Sequence, residues 1–451
     1  MSEEKQLNQV LGFWDLMAQA VGQIIGAGIM SLTGAAIAMT GKSVPIAFIL
    51  STFFVMGQMV PYIFIGSTVK ISGGPYGMIQ VLLSPKLGGF YAIVYTMSRI
   101  SIASYCLSAA EYLLGLFGMG MELRIAVAIA VLVLFYVLNM MGADIFALVQ
   151  NFIVGALVIA LLVFTVFGLP KVDWTNLTAP GQWMSAGFNG LISATVLVKF
   201  ATGGAQVVVN MVDEAKNPTR DIPVVILTST LAVAVLYALM SVVAAGVLPL
   251  EQTAGQSLIN TARTIMPYPL FVAFVIFGAE GALLSTLNSS LVASTKPILR
   301  ATWDGWFPAA WGKLNKKRVP FIYLTVLFLI GAATILTGMN ISMITQLVQI
   351  IGSFNNILLC YCLINLKKVF PEAWAASKFH ISDGLLMALF IYGEVTVIYA
   401  LWVQLQGKAM WVYVGNVVMV VVALGYSLWR YGKGGIAKTP YRTILGETNE
   451  D

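Results

Sequence analysis

Long apolar runs, cut by short polar connections, make up almost the whole chain. A helix needs about 20 apolar residues to cross a hydrocarbon core of ~30 Å. By that measure the pattern predicts twelve segments, at roughly 12–40, 44–67, 87–117, 124–142, 146–169, 187–212, 222–248, 268–300, 319–338, 343–366, 382–406 and 409–431. The first, third and eighth exceed a straight crossing, which predicts tilt or extension beyond the membrane. Between them, Ile71-Ser72-Gly73-Gly74-Pro75-Tyr76-Gly77 punctuates a connection, and residues 75–85 are expected to form a short interfacial helix ending at Pro85. Asn217-Pro218 is a turn, and Pro223 suits the first turn of the next helix. Residues 170–186 are the longest connection on the outer side, and the polar tail from Tyr431 onward is expected to be mobile. The expected organisation is an N-terminal segment 1–11, a membrane unit 12–431 and a tail 432–451, with no soluble domain.

Two segments break the pattern. Where the first should hold leucine, valine or alanine it reads Val21-Gly22-Gln23-Ile24-Ile25-Gly26-Ala27-Gly28-Ile29-Met30. Glycine costs up to ~1 kcal/mol more than alanine inside a helix. The sixth segment has a matching flaw at Phe200-Ala201-Thr202-Gly203-Gly204-Ala205. Bare backbone is tolerated at membrane depth only where it lines a cavity or is buried in protein. Paired interruptions in corresponding halves point to a binding site. If the first segment unwinds near Gly26, the amides of Ala27, Gly28 and Ile29 open a new helix and suit a carboxylate. The freed carbonyls at Ile24 and Ile25, and those at Phe200, Ala201 and Thr202 in the oppositely directed sixth segment, suit an ammonium. Main-chain groups alone thus describe a site for a small zwitterion, an α-amino acid. The bland alternative is that Gly22 and Gly26 merely let helices approach closely.

Composition agrees with membrane residence: 59% of the 451 residues are hydrophobic and 10% charged, where a soluble domain is nearer 25% charged. Met1 to Gln9 is polar and no small-residue cleavage site follows, so no signal peptide is expected. The net charge of +6 does not imply nucleic acid, because most of the 25 lysines and arginines fall in connections on the N-terminal side. Lys42, Arg124, Lys171, Arg263 and Lys408 fall on the other side. That bias places both termini in the cytosol of a multi-pass cell-membrane protein. Cys106, Cys360 and Cys362 lie in apolar helices, and His380 is the only histidine, so disulfides, metal clusters and histidine-based catalysis are not expected. Nucleophile and phosphate-loop motifs are missing too, so neither an enzyme nor an ATP-driven pump is expected, and no cofactor is implied.

Arg99, Lys199 and Glu280 each sit about twelve residues into their segments, near the membrane midplane. A charge there costs at least ~2.5 kcal/mol and needs a partner or a wet cavity. Two arrangements answer that need. Lys199 or Arg99 forms a fixed ion pair with Glu280, or a spare positive charge meets an anionic substrate group or replaces a coupling cation. Asn288, Asn355 and Asn356 are expected to hydrogen-bond between helices.

The residues also carry a family resemblance. Ile25-Gly26-Ala27-Gly28-Ile29, the Gly-Gly-x-Tyr run at 73–76, Glu214 through Asn217-Pro218 and Arg220 to Ile222-Pro223, and the stretch from Asn288 through Ser294-Thr295-Lys296 to Pro308 resemble the amino acid–polyamine–organocation permeases. The resemblance implies an all-α fold of twelve transmembrane helices. Two inverted five-helix repeats, about 12–169 and 187–366, have helices 1 and 6 broken, and two helices at about 382–431 are appended. It implies secondary transport of amino acids by alternating access, coupled to sodium, to protons or to an exchanged amino acid. A sensor that binds without transport, or a carrier of a related amine, fits the same pattern. By position, Phe200 matches an aromatic that covers the substrate. Gln206 stands where many members have a glutamate implicated in proton sensing. Leu157 stands where some have a lysine in place of a sodium ion. Ser289 and Ser290 lie near the place where sodium-coupled relatives offer hydroxyls. The implied partners are the amino acid, membrane lipid and a coupling ion; neither the substrate nor the oligomeric state is implied.

Overall fold

The computed structural model describes residues 7–178, 181–339 and 341–449, and it is mostly helical. The chain begins with α1 (Phe13–Ile24), α2 (Ala27–Thr40) and α3 (Val44–Thr68), then a short strand β1 (Val69–Ile71). There follow α4 (Gly74–Leu82), α5 (Pro85–Met97), α6 (Ser101–Phe117), α7 (Arg124–Met140), α8 (Ala143–Gly168) and a single turn α9 (Trp174–Leu177). The second half holds α10 (Gly187–Thr202), α11 (Pro218–Gly246), two short helices α12 (Leu250–Thr253) and α13 (Leu258–Ile265), and α14 (Tyr268–Ala273). A π-helical stretch, Phe274–Glu280, joins α14 to α15 (Gly281–Trp303). The chain ends with α16 (Phe321–Leu336), α17 (Ile341–Val369), α18 (Pro371–Ala376), α19 (Asp383–Leu405), α20 (Met410–Gly432) and β2 (Tyr441–Thr443).

Helices dominate because hydrocarbon offers the backbone no hydrogen-bond partners, so each segment must satisfy its own. Among the described residues, ten helices are long and apolar enough to cross a membrane. The difference from twelve has simple causes. The helices α2 and α3 run together through a turn at Gly41–Ser43 as one 41-residue stretch. The break leaves α1 with only 12 residues, and α16 is apolar but short.

Two groups of helices emerge from the packing. In one, α10 lies on α2 and α3, and α11 on α3 and α1; in the other, α6 and α16 lie on α7, and α15 on α6 and α16. The helix α15 is buried along nearly its whole length and reads Ser285, Thr286, Ser289, Ser290, Ser294 and Thr295. Small and hydroxyl side chains let neighbouring helices approach and give them something to bond.

The tail departs from expectation. Instead of hanging free, Tyr441–Thr443 pairs antiparallel with Val69–Ile71. Upstream, Thr439 donates to Asp304 (2.5 Å) and Gln80 donates to the Ala437 carbonyl (2.9 Å). Tyr76 also donates to Asp304 (2.9 Å), which Arg300 caps in an ion pair. The polarity that suggested mobility is used instead to satisfy the edge of β1 and the end of α15. Residues 1–6 of the N-terminal segment, Ala179 and Pro180 of the outer loop, Asn340, and the last two residues of the tail lie outside the described residues.

Candidate functional site

The helix α1 stops at Ile24, and the chain turns extended through Ile25 (φ −80°, ψ 92°) and Gly26 (φ −119°, ψ −161°) before α2 begins. The Gly26 amide donates back to the Ile24 carbonyl (3.1 Å) rather than to that of Gly22. The orphaned Gly22 carbonyl accepts from Ser285 Oγ (3.1 Å) and Thr286 Oγ1 (3.0 Å) on α15, each hydroxyl sharing its proton with the Ala282 carbonyl (3.0 and 2.9 Å). Two side chains therefore do the work of one lost helical bond. Ser285→Ala or Thr286→Val alone should cost no more than ~1 kcal/mol, since one donor remains, whereas the double variant leaves a buried carbonyl unpaired at about 1–3 kcal/mol further. Thermal unfolding in detergent should show a double-variant loss exceeding the sum of the singles.

The second interruption follows α10. Gly203 is extended and Gly204 adopts φ +141°, after which Ala205–Met211 forms a 3-10 helix. The two breaks touch. A Cβ on Gly204 would stand 2.7 Å from the Gln23 carbonyl oxygen, and one on Gly28 would stand 2.8 Å from the Ala201 Cβ. Gly22 is different: its Cβ would meet Gln150 at 2.3 Å and Val154 at 2.7 Å, so this glycine serves close packing on α8. A Cβ on Gly26 would meet only the Thr286 hydroxyl, at 3.3 Å.

A cavity of about 350 Å³ borders these breaks. Of the expected residues it brings together Arg99, Phe200, Gly204, Gln206 and Ser290, and it adds Gln23. Phe200 is half exposed, while Ala201 and Thr202 are buried. Ile24, Ile25, Gly26, Gly28, Ile29, Ala201, Thr202 and Gly203 do not line the cavity. The start of α2 is covered by Ala201, and Thr202 Oγ1 bonds Ser51 (3.1 Å). Of Ala27 only the backbone is described.

The intramembrane charges are arranged otherwise than the ion-pair expectation held. Among the described residues no ion pair joins Arg99 or Lys199 to Glu280. Arg99 interrupts the α5–α6 helix in a 3-10 turn, Ser98–Ile100, and spends its donors on neutral oxygens. Glu280 is buried in the π-helical stretch, which packs against the apolar α8, and neither of its carboxyl oxygens has a hydrogen-bond partner among the described residues. Lys199 does not line the cavity. The serines also separate. Ser290 donates to Gln23 Oε1 (3.2 Å), whereas the Ser289 hydroxyl is buried with no partner among the described residues. Leu157 is buried on α8. Asn288 does bridge helices, donating to Gln150 (2.9 Å) and accepting from Asn139 (3.0 Å), while Asn355 and Asn356 line the cavity.

Several wall residues were missed from sequence. Tyr95, Asn210 and Ser294 line the cavity without having been singled out for the site, and Ser285 and Thr286, which hold the first break rather than the wall, lie one turn before the serines that were. Their only signal was a polar group inside an apolar run, a signal shared by many residues that bond their own helix.

Comparison with known proteins bears on this arrangement. Residues 11–428 match the family model described as amino acid permease. The chain is 26% identical to the branched-chain amino acid permease of Bacillus subtilis (strain 168), over 94% of this chain and 95% of that one. It is 25% identical to the methylthioribose transporter of the same organism, over 84% and 85%. It is 24% identical to the vacuolar cationic amino acid transporter 4 of Arabidopsis thaliana, over 81% of this chain and 64% of that one. A chain of apolar helices matched over nearly its whole length in this way belongs to the amino acid permease family, within the amino acid–polyamine–organocation superfamily.

Proposed function

We propose that this protein is a secondary active transporter of amino acids in the cell membrane, with both termini in the cytosol. The observation that carries the reading is the pair of opposed helix breaks, at Ile25–Gly26 and Gly203–Gly204, beside a polar cavity. Twelve crossings follow when α1–α2, α5–α6, α10 with its 3-10 extension, and α14–α15 each count once. Residues 12–169 and 187–366 then form the two inverted repeats, with α19 and α20 appended. The described ends, from residue 7 and up to residue 449, belong to the short segments that flank this unit. Alternating access rocks the group built on α1, α2, α3, α10 and α11 against the group built on α6, α7, α15 and α16. The hydroxyls of Ser285 and Thr286, bonded to the Gly22 carbonyl, lie on the sliding boundary. Parting α2 from Ala201 uncovers the amides of Ala27, Gly28 and Ile29 for the carboxylate, and Phe200 closes over the substrate. The carbonyls of Ile24 and Ile25, with those of Phe200, Ala201 and Thr202, take the ammonium.

The relatives' named substrates differ, so they support the class rather than a compound. Counterflow in proteoliposomes tests the reading: vesicles loaded with an unlabelled amino acid should accumulate its labelled form. Arms with and without sodium, and with and without a pH gradient, identify the coupling. Saturable binding with no counterflow for any amino acid would mark a sensor and overturn the proposal.

A further inference from the structure

We propose that Arg99 selects a second anionic group, so that the preferred substrate is an amino acid with a carboxylate side chain. This rests on the transporter reading above and deepens it. Arg99 lines the cavity together with Phe200 and Gly204. Its Nε donates to the Tyr95 carbonyl (3.2 Å), Nη1 to Ser294 Oγ (3.0 Å) and Nη2 to Ser98 Oγ (3.0 Å). The guanidinium stands 4.1 Å from the centre of the Tyr95 ring. A guanidinium has five N–H donors in a planar fork. Three are used, all on neutral partners, which leaves one on each terminal nitrogen. That remainder matches the two oxygens of a carboxylate.

No counter-charge is in place. Among the described residues the cavity wall has no aspartate or glutamate and Arg99 enters no ion pair. A charge at this depth needs a partner or a wet cavity, and Arg99 has the cavity, which leaves it open to an anionic group that enters there. Two other buried cations are paired, Lys296 with Glu214 and Arg300 with Asp304, and neither of them lines this cavity.

Position agrees with the chemistry. Ser294, which holds Arg99, lies one turn of α15 beyond Ser290, which holds Gln23 at the end of α1. One turn is ~5.4 Å, so the fork lies about that far along α15 from the break where the zwitterion would sit, within reach of a short side chain. The wall also presents the neutral amides Gln206, Asn210, Gln349 and Asn355, beside tyrosines and the apolar Val207, Val348 and Leu359. The amides can bond a carboxylate or amide side chain, and Arg99 repels an ammonium side chain.

The test is a counterflow panel on the full chain in proteoliposomes, using L-glutamate, L-aspartate, L-glutamine, L-leucine and L-lysine. Glutamate or aspartate should exchange at the lowest concentration, and lysine should not compete. Arg99→Gln should lower the glutamate-to-glutamine preference by on the order of 100-fold, the scale of losing one partner of a desolvated charge pair. Robust exchange of leucine or lysine with none of glutamate or aspartate overturns the anionic class and leaves the transporter reading standing. Equal loss of all substrates in Arg99→Gln, with the protein folded, assigns the arginine to the shared α-carboxylate and also overturns the inference. If that variant does not fold, the wild-type panel decides alone. A panel with no counterflow at all overturns this inference, and the transporter reading falls with it only when every other amino acid fails to exchange as well.

Discussion

Gly204→Ala is expected to abolish counterflow in a protein that still inserts and purifies. Gly204 sits at φ +141°, where a residue with a Cβ is strained whatever the space around it. Here the space is closed as well. The new carbon would stand 2.7 Å from the Gln23 carbonyl oxygen, 2.9 Å from its carbon and 3.1 Å from the Ile24 nitrogen. All three are backbone atoms, so no side chain can swing away and the two broken helices must move apart. The strain of such a conformation is roughly 1–3 kcal/mol before the clash is added. That is tolerable for folding but displaces a place where the two breaks meet. Gly28→Val should behave similarly, because its Cβ would stand 2.9 Å from the Ala201 Cα. Gly26→Ala should be much milder, since only a hydroxyl lies near and its φ of −119° suits any residue. The check is counterflow normalised to monodisperse protein by size-exclusion chromatography. Wild-type exchange in Gly204→Ala would remove the breaks from the mechanism.

The second large effect is expected at Lys296 and Glu214, whose charged atoms lie 2.6 Å apart with both side chains 4% exposed. The pair ties α15 to the connection before α11. The same connection holds the N-terminal segment, through Leu11 donating to the Glu214 carbonyl (3.0 Å) and Lys216 donating to that of Leu11 (2.9 Å). Removing one partner leaves an uncompensated buried charge, which costs about 3–5 kcal/mol. Glu214→Leu and Lys296→Met should each lower the thermal midpoint markedly in detergent. The double variant should recover most of the loss, because a buried pair replaced by apolar groups is often neutral. Additive losses in the double variant would mean that the two residues act separately.

Much of the architecture was legible from the apolar pattern because hydrocarbon leaves the backbone one economical solution. Once a run of ~20 apolar residues is written, a helix across the membrane follows. The interruptions were legible for the same reason: Gly26 and Gly203-Gly204 are conspicuous only against such runs. The glycines' separate tasks were not legible. Gly22 packs on α8, Gly26 opens the turn, and Gly28 and Gly204 hold the breaks against each other, yet all four are one letter in the sequence. The difference lies in which atom faces each missing Cβ, and that depends on helices over a hundred residues away.

The charges and hydroxyls show the same limit. Depth along a segment marked Arg99, Lys199 and Glu280 as costly, but pairing depends on the rotation of each helix about its axis. Rotation is set by packing across the whole bundle, and it turned Arg99 to the cavity and left the Glu280 carboxyl buried without a hydrogen-bond partner among the described residues. It likewise gave the Gly22 carbonyl to Ser285 and Thr286 rather than to Ser289 and Ser290. The tail misled because its polarity was judged alone, while the strand edge it satisfies lies at residues 69–71. The sequence alone determined that this chain is a bundle of membrane-crossing helices with two of them broken, because burial in lipid acts locally, segment by segment. Only the tertiary structure decided which polar atoms meet at the breaks, because those meetings depend on helix rotation and register, and on contacts between segments far apart in the chain.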